Sequence, residues 1–155
     1  MRETSVTIRP AEPDEAHALT ELTLRSKAHW GYDAAFMNAV TDELTVSRDM
    51  IAEHEVFVIE EHGHVAGFYA LIVDGPKAEL SMLFIDPPAI GRSFGRALFE
   101  HAAREARALG ATDLFIDADP FAEAFYLAQG AERIGESPSG SIPGRMLPRM
   151  RYRIG

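Results

Sequence analysis

The sequence contains no cysteine, which excludes disulfides and a thiol nucleophile. Tryptophan occurs once, at Trp30. Positive charge is scarce: 15 Lys and Arg stand against 24 Asp and Glu, a formal net charge of −9. That balance argues against broad nucleic-acid binding, which runs on basic surface. It suits a cationic substrate, although a solvated acidic surface is its plainer meaning. No apolar run approaches the roughly 20 residues of a membrane helix, so no membrane partner is expected. Met1-Arg2-Glu3-Thr4-Ser5 lacks the apolar core of a signal peptide, and the expected location is cytoplasmic.

What is present is an ordinary globular composition, 46% apolar and 25% charged over 155 residues. It fits a single domain, residues 1–155, long enough to bury a real core. The stretch from Leu83 to Leu98 carries the clearest chemistry. Residues 79–85 read as a strand, and Asp86-Pro87-Pro88 stops it, because proline cannot donate to a sheet ladder. A loop with Gly91, Ser93 and Gly95 follows, and then a helix from Phe94 to about Leu109. Strand, glycine-containing turn and helix N-terminus together make an anion site: unpaired N–H groups and the helix dipole both favour negative charge. Arg92 and Arg96 add full charges. The turn reads as a pyrophosphate holder.

The remaining elements follow in order. Val6 to Arg9 is a short strand ended by Pro10. Pro13 and Asp14 open a helix that runs to about Lys27, with Ala16, Leu19, Leu22 and Thr23 on its inner face. Asp33 caps a helix from Ala34 to Val40. Between these helices lie His29, Trp30 and Tyr32, which read either as a substrate wall or as a helix junction pinned by ring packing. Residues 41–52 read as loop with a helical turn or two. Strands at 55–61, 65–73 and 77–85 form a meander. His62 and His64 sit in its first turn without a third ligand in view, so no metal is expected. A strand at 112–118 follows the helix and should lie parallel to the preceding strand. A helix from Phe121 to Ala128, a strand from Ala131 to Gly135 and a loop from Ser137 to Gly144 come next. The last strand alternates Met150, Tyr152 and Ile154 against Arg149, Arg151 and Arg153, and Pro148 places its start at a sheet edge.

This order resembles the GNAT superfamily of acyl-CoA-dependent N-acyltransferases over nearly the whole length. Ile85 to Leu98 is similar to the family's pyrophosphate loop and helix. Ala124-Phe125-Tyr126 followed by Gly130-Ala131-Glu132 is similar to its second motif. The loop departs from the family pattern of Gln or Arg, two residues, Gly, one residue, then Gly or Ala: those places hold Ile90, Ser93 and Gly95. Ser93 cannot adopt positive φ as cheaply as glycine. Asp119 stands where many members carry Asn.

The resemblance implies an α/β (α+β) fold with a mixed, mostly antiparallel sheet flanked by helices. It also implies acetyl-CoA as cosubstrate and direct transfer of an acetyl group to a primary amine on a small molecule or peptide. Phe84, Ile85, Ile90, Gly91, Arg92, Ser93, Phe94, Gly95 and Arg96 would bind the cofactor, with the Ile85 N–H on the acyl carbonyl. Tyr126 would protonate the leaving thiolate, since phenol is an O–H donor at neutral pH. Glu79 would be the general base. By period two it shares a face with Ser81, Leu83 and Ile85. It would lie on the order of 20 Å from the acyl contact at about 3.3 Å per residue, and so act through water. His29, Trp30 and Tyr32 would line the acceptor site, with the loop 139–145 as a lid. Family members are often dimers, so a homodimer is compatible. The rival readings are a non-catalytic CoA-binding or sensory domain of the same fold, and a nucleotide-binding domain using the same turn. The absence of a Gly-rich turn after an early strand speaks against the last.

Overall fold

The structure is a computed structural model, and it describes residues 6–154. Met1 to Ser5, the segment read above for a signal peptide, lies outside the described residues. Among the described residues there are seven strands: β1 Val6–Pro10, β2 Glu55–Glu61, β3 His64–Asp74, β4 Lys77–Ile85, β5 Asp113–Asp117, β6 Glu132–Pro138 and β7 Met146–Arg153. Five α-helices join them: α1 Ala16–Ala28, α2 Ala34–Val40, α3 Arg48–Glu53, α4 Phe94–Ala108 and α5 Glu123–Ala128. The strands form one sheet in the order β1-β2-β3-β4-β5-β7-β6. Only β4 and β5 pair in parallel, across the α4 connection; the rest is antiparallel.

Local chemistry explains the elements. Pro13 and Pro120 open short 3-10 turns that lead into α1 and α5, where a missing N–H costs nothing. Asp33 accepts from the Phe36 N–H at 2.8 Å and caps α2. Ser47 caps α3 in the same way, accepting from Met50. Gly110 and Gly130 end α4 and α5 at positive φ.

The sheet separates two cores. On one face α4 and α5 bury Leu98, Phe99 and Tyr126 against Tyr69, Leu80 and Leu114. On the other, α1 and α3 bury Leu19, Leu22 and Ile51 against Val58, Phe68 and Met82. No helix among the described residues is long and apolar enough to cross a membrane.

Two expectations are corrected. The first concerns β4. Its register with β3 shifts at Ser81: Ala70 pairs with Met82, and the next residue, Leu71, pairs with Leu80. Ser81 is therefore the extra residue of a β-bulge, and it reverses the alternation. Leu80 faces the α4 side together with Leu83 and Ile85. Glu79 falls on the opposite face, with Met82 and Phe84, not with Leu83 and Ile85. The second concerns β7, which lies inside the sheet between β5 and β6, not at an edge. Pro148 is tolerated because it sits just beyond the last β5–β7 pair, Asp117 with Arg149. Its carbonyl still accepts from Ala118 at 2.9 Å. The strand also begins earlier than expected, at Met146.

Candidate active site

β4 and β5 pair only from Lys77 with Asp113 to Glu79 with Phe115. Beyond that point they part, and a cleft of about 930 Å³ opens between them. One wall is the second half of β4, including Phe84 and Ile85. The other is the end of β5 with Asp119, Phe121 and Tyr126. The Asp86 N–H is used on the β3 side, bonding Ala66 C=O at 2.8 Å. Backbone groups of successive strand residues point to opposite sides, so the Ile85 N–H turns towards the open seam.

The turn after β4 forms the cleft's far end. Ile90, Gly91, Ser93, Phe94, Gly95 and Arg96 all line it. The first bond of α4 runs from Ala97 N–H to Ser93 C=O at 3.2 Å. The N–H groups ahead of Ala97 therefore have no helical acceptor. Ser93 takes φ +66°, ψ 15°, the left-handed region that disfavours a side chain. Gly95 packs on Phe125: a Cβ there would lie 3.2 Å from Cε1 of that ring. Gly67, on β3 beneath the turn, is tighter still. A Cβ would meet Ile85 Cδ1 at 2.7 Å and the Phe84 carbonyl at 2.8 Å. Arg92 is not among the lining residues; it forks onto Glu61 and lies over the Phe94 ring. Arg96 lines the cleft while pairing with Glu100 at 3.1 Å.

Tyr126 is 5% exposed and lines the cleft. Its hydroxyl has no hydrogen-bond partner among the described residues. Burial, reinforced by Asp119, pushes its pKa well above the ordinary phenol value, so it keeps its proton. Glu79 also lines the cleft and accepts from Arg149 at 2.8 Å. Burial raises its pKa, and nearby Asp117 adds to this, while the Arg149 guanidinium opposes it. Arg149 also reaches Asp117 at 3.0 Å, and Arg151 reaches Asp113 at 2.8 Å. Two of the final strand's arginines are thus paired with acids.

At the near end, Trp30 lines the cleft and stacks on Phe121, with centroids 5.2 Å apart. His29 packs edge-on to Trp30 and is not among the lining residues. Tyr32 stands behind the wall. Its hydroxyl donates to Asp119 at 3.0 Å and accepts from Arg145 at 2.8 Å. Burial and Asp119 raise its pKa to about 12.

Asp119 also takes the ammonium of Lys27 and the Phe121 N–H, the latter at 2.8 Å. Burial alone would raise the Asp119 pKa, but Lys27 and the N–H and O–H donors together outweigh it and hold it below the ordinary carboxylate value. The loop 139–145 is tied across this end by Arg145 and by Ser141, which donates to Glu43 at 2.8 Å. Lys27, Asp119 and Arg145 formed no group in the sequence reading. A signal was available for Lys27: it follows Leu19, Leu22, Thr23 and Ser26 on the buried stripe of α1, and a charge there demands a partner.

The family model described as Acetyltransferase (GNAT) family matches residues 18–131. The peptidyl-lysine N-acetyltransferase YiaC of Escherichia coli (strain K12) is 34% identical over 95 residues, 61% of this chain and 62% of that relative. The match thus spans less than two thirds of the curated relative's length. A GCN5-related N-acetyltransferase structure from Rhodopseudomonas palustris superposes at a TM-score of 0.80 with 22% identity, covering 99% of this chain and 98% of the other. The PaiA N-acetyltransferase of Thermoplasma acidophilum, solved with coenzyme A, also reaches 0.80, at 17% identity over 96% and 99% of the two chains. At these identities the two structures share a fold with this chain.

Proposed function

This chain belongs to the GNAT acetyltransferase family, and we propose that it moves an acetyl group from acetyl-CoA to a primary amine by direct transfer. The observation that carries the reading is the parted β4–β5 seam. One cleft joins the glycine-containing turn, the Ile85 N–H facing the open seam and a buried phenol with no partner among the described residues.

Fit to the cosubstrate rests on the turn. Its unpaired N–H groups and Arg96 suit a pyrophosphate. Gly95 has no room for a side chain, and Ser93 already holds the backbone in the left-handed form that exposes the donors. Acetyl-CoA supplies the activated thioester: a C–N bond forms at its carbonyl carbon as the C–S bond breaks. The Ile85 N–H donates to the carbonyl oxygen as charge develops there. Tyr126 gives the leaving sulfur its proton. Glu79, with a carboxyl pKa raised by burial, takes the amine's proton through water. Trp30 and the 139–145 loop wall the acceptor end, and Tyr32 supports that wall from behind.

Calorimetry with acetyl-CoA, followed by acetylation assays over an amine panel, tests this. Micromolar binding that is abolished by Gly95→Asp, and turnover lowered about 10²-fold or more in Tyr126→Phe with binding kept, are expected. Absence of acetyl-CoA binding by the wild type would refute the reading. Binding without turnover of any amine would favour a sensory domain.

A further inference from the structure

At the near end of the cleft two cations share one carboxylate as their ion-pair partner among the described residues. Lys27 and Arg145 both line it, and Asp119 is the carboxylate between them. The Lys27 side chain is only 10% exposed, yet an ammonium has three donors and one bond is made among the described residues, to Asp119. Arg145 is 18% exposed and has five donors. Its Nη2 bonds the Tyr32 hydroxyl and lies 3.6 Å from Asp119. Nε and Nη1 have no hydrogen-bond partner among the described residues. Tyr32 and Phe36 hold the two cations in place through their ring faces, with Arg145 at 4.8 Å from the Phe36 centroid and Lys27 at 5.4 Å from that of Tyr32. Donors this buried are normally satisfied, and buried charge is normally balanced.

Where β4 and β5 part, the imbalance is reversed: Glu79 and Asp117 share one cation among the described residues, Arg149. Glu43, on the near wall, is engaged by Ser141.

We propose that Lys27 and Arg145 bind a carboxylate on the acceptor, so that the acceptor carries an acid as well as its amine. The amine would face Glu79 and Asp117, and the acid would complete the idle donors. The word acceptor rests on the acetyl-transfer reading; the carboxylate site itself does not. The acid has two sources: the α-carboxylate of a free amino acid, or an acidic side chain beside a peptide's N-terminal amine.

The test uses matched pairs of acetylated products and the fluorescence of Trp30, the chain's one tryptophan, on the same wall. N-acetylglycine against N-acetylglycinamide probes the first source. N-acetyl-Ala-Glu-amide against N-acetyl-Ala-Gln-amide probes the second. The carboxylate member of one pair should bind about tenfold tighter or more, as a charge-assisted bond requires. That preference should collapse in Lys27→Met and in Arg145→Gln. The second variant decides if the first does not fold. Equal binding within both pairs, no response to any of the four, or a preference unchanged in both variants would overturn the proposal. Acetyl-CoA is titrated separately. Its failure to bind would sink the transferase reading and leave the carboxylate preference standing, whereas acetyl-CoA binding without that preference sinks only this inference.

Discussion

Replacing Asp119 by Asn changes almost no volume and retains an oxygen for the Phe121 N–H, but it removes the anion from the Lys27–Tyr32–Arg145 cluster. The side chains of Lys27, Asp119 and Arg145 are 10%, 13% and 18% exposed, so solvent cannot take over the lost charge. Breaking a buried pair by deleting one partner costs about 3–5 kcal/mol. We expect about 3 kcal/mol here, because Lys27 and Arg145 are left as facing cations. For a chain of this size that is a fall in Tm of roughly 6–12 °C. The pH dependence has a definite sign. The folded pKa of Asp119 is depressed, so its contribution is fully present above the unfolded value near 3.9 and is lost as pH falls through the folded value. Thermal melts of wild type and variant should therefore differ by a constant amount from about pH 6 to 8 and converge below about pH 4. The gap should survive about 0.5 M salt, since buried pairs are weakly screened. Lys27→Met combined with Asp119→Asn should recover much of the loss, giving a coupling of about 2 kcal/mol or more. A loss below about 1 kcal/mol, the scale of a surface pair, would refute the reasoning. So would a double variant no better than the single.

Three further outcomes concern Ser93, Gly67 and Glu79. Ser93→Gly relieves a left-handed residue worth about 1–2 kcal/mol, partly offset by glycine's unfolded-state entropy. Urea melts should show stability unchanged or raised by up to about 1 kcal/mol, and a clear loss would contradict the strain at φ +66°. Gly67→Ala sets a Cβ against Ile85 and the Phe84 carbonyl, an overpacking worth about 1–3 kcal/mol. Weakened acetyl-CoA binding should accompany it, and an alanine variant with wild-type stability and affinity would count against the close approach. Arg149→Gln removes the cation that restrains the raised Glu79 pKa. If ionised Glu79 is the base, the acid limb of the kcat/KM profile should move to higher pH, and a limb that stays or moves down would exclude it.

The element order was legible because its signals are local. Pro13 and Asp33 mark helix starts, Gly110 and Gly130 mark helix ends, and the α4 connection forces β5 parallel to β4. The strain at Ser93 was legible too, since its residue type conflicts with the turn. The facing of Glu79 was not, because a bulge is set by pairing with β3 and leaves the local alternation looking intact. The interior place of β7 depends likewise on which strands arrive beside it. The charge cluster joins Lys27 and Tyr32 to Asp119 and to Arg145, three separated parts of the chain. No spacing rule reaches across such separations, so only the misplaced charge on the inner face of α1 hinted at it.

The extra residue at Ser81 has an effect on the sheet as a whole. It comes two positions after the last rung that β4 shares with β5, and a bulge bends its strand and deepens the twist. If Ser81 were removed, Leu80 and Met82 would become neighbours and every side chain would keep its side. The ladder would be more regular, and the bend that turns β4 aside from its parallel neighbour would be lost. Such a shortened chain could zip the two strands further along and fold at least as well. It would have a smaller opening between the two strands than the cleft seen here. A single irregular residue in the middle of the sheet thus sits where the two strands part, and the bend it brings favours the separation over the sheet bonds they forgo beyond Glu79 and Phe115.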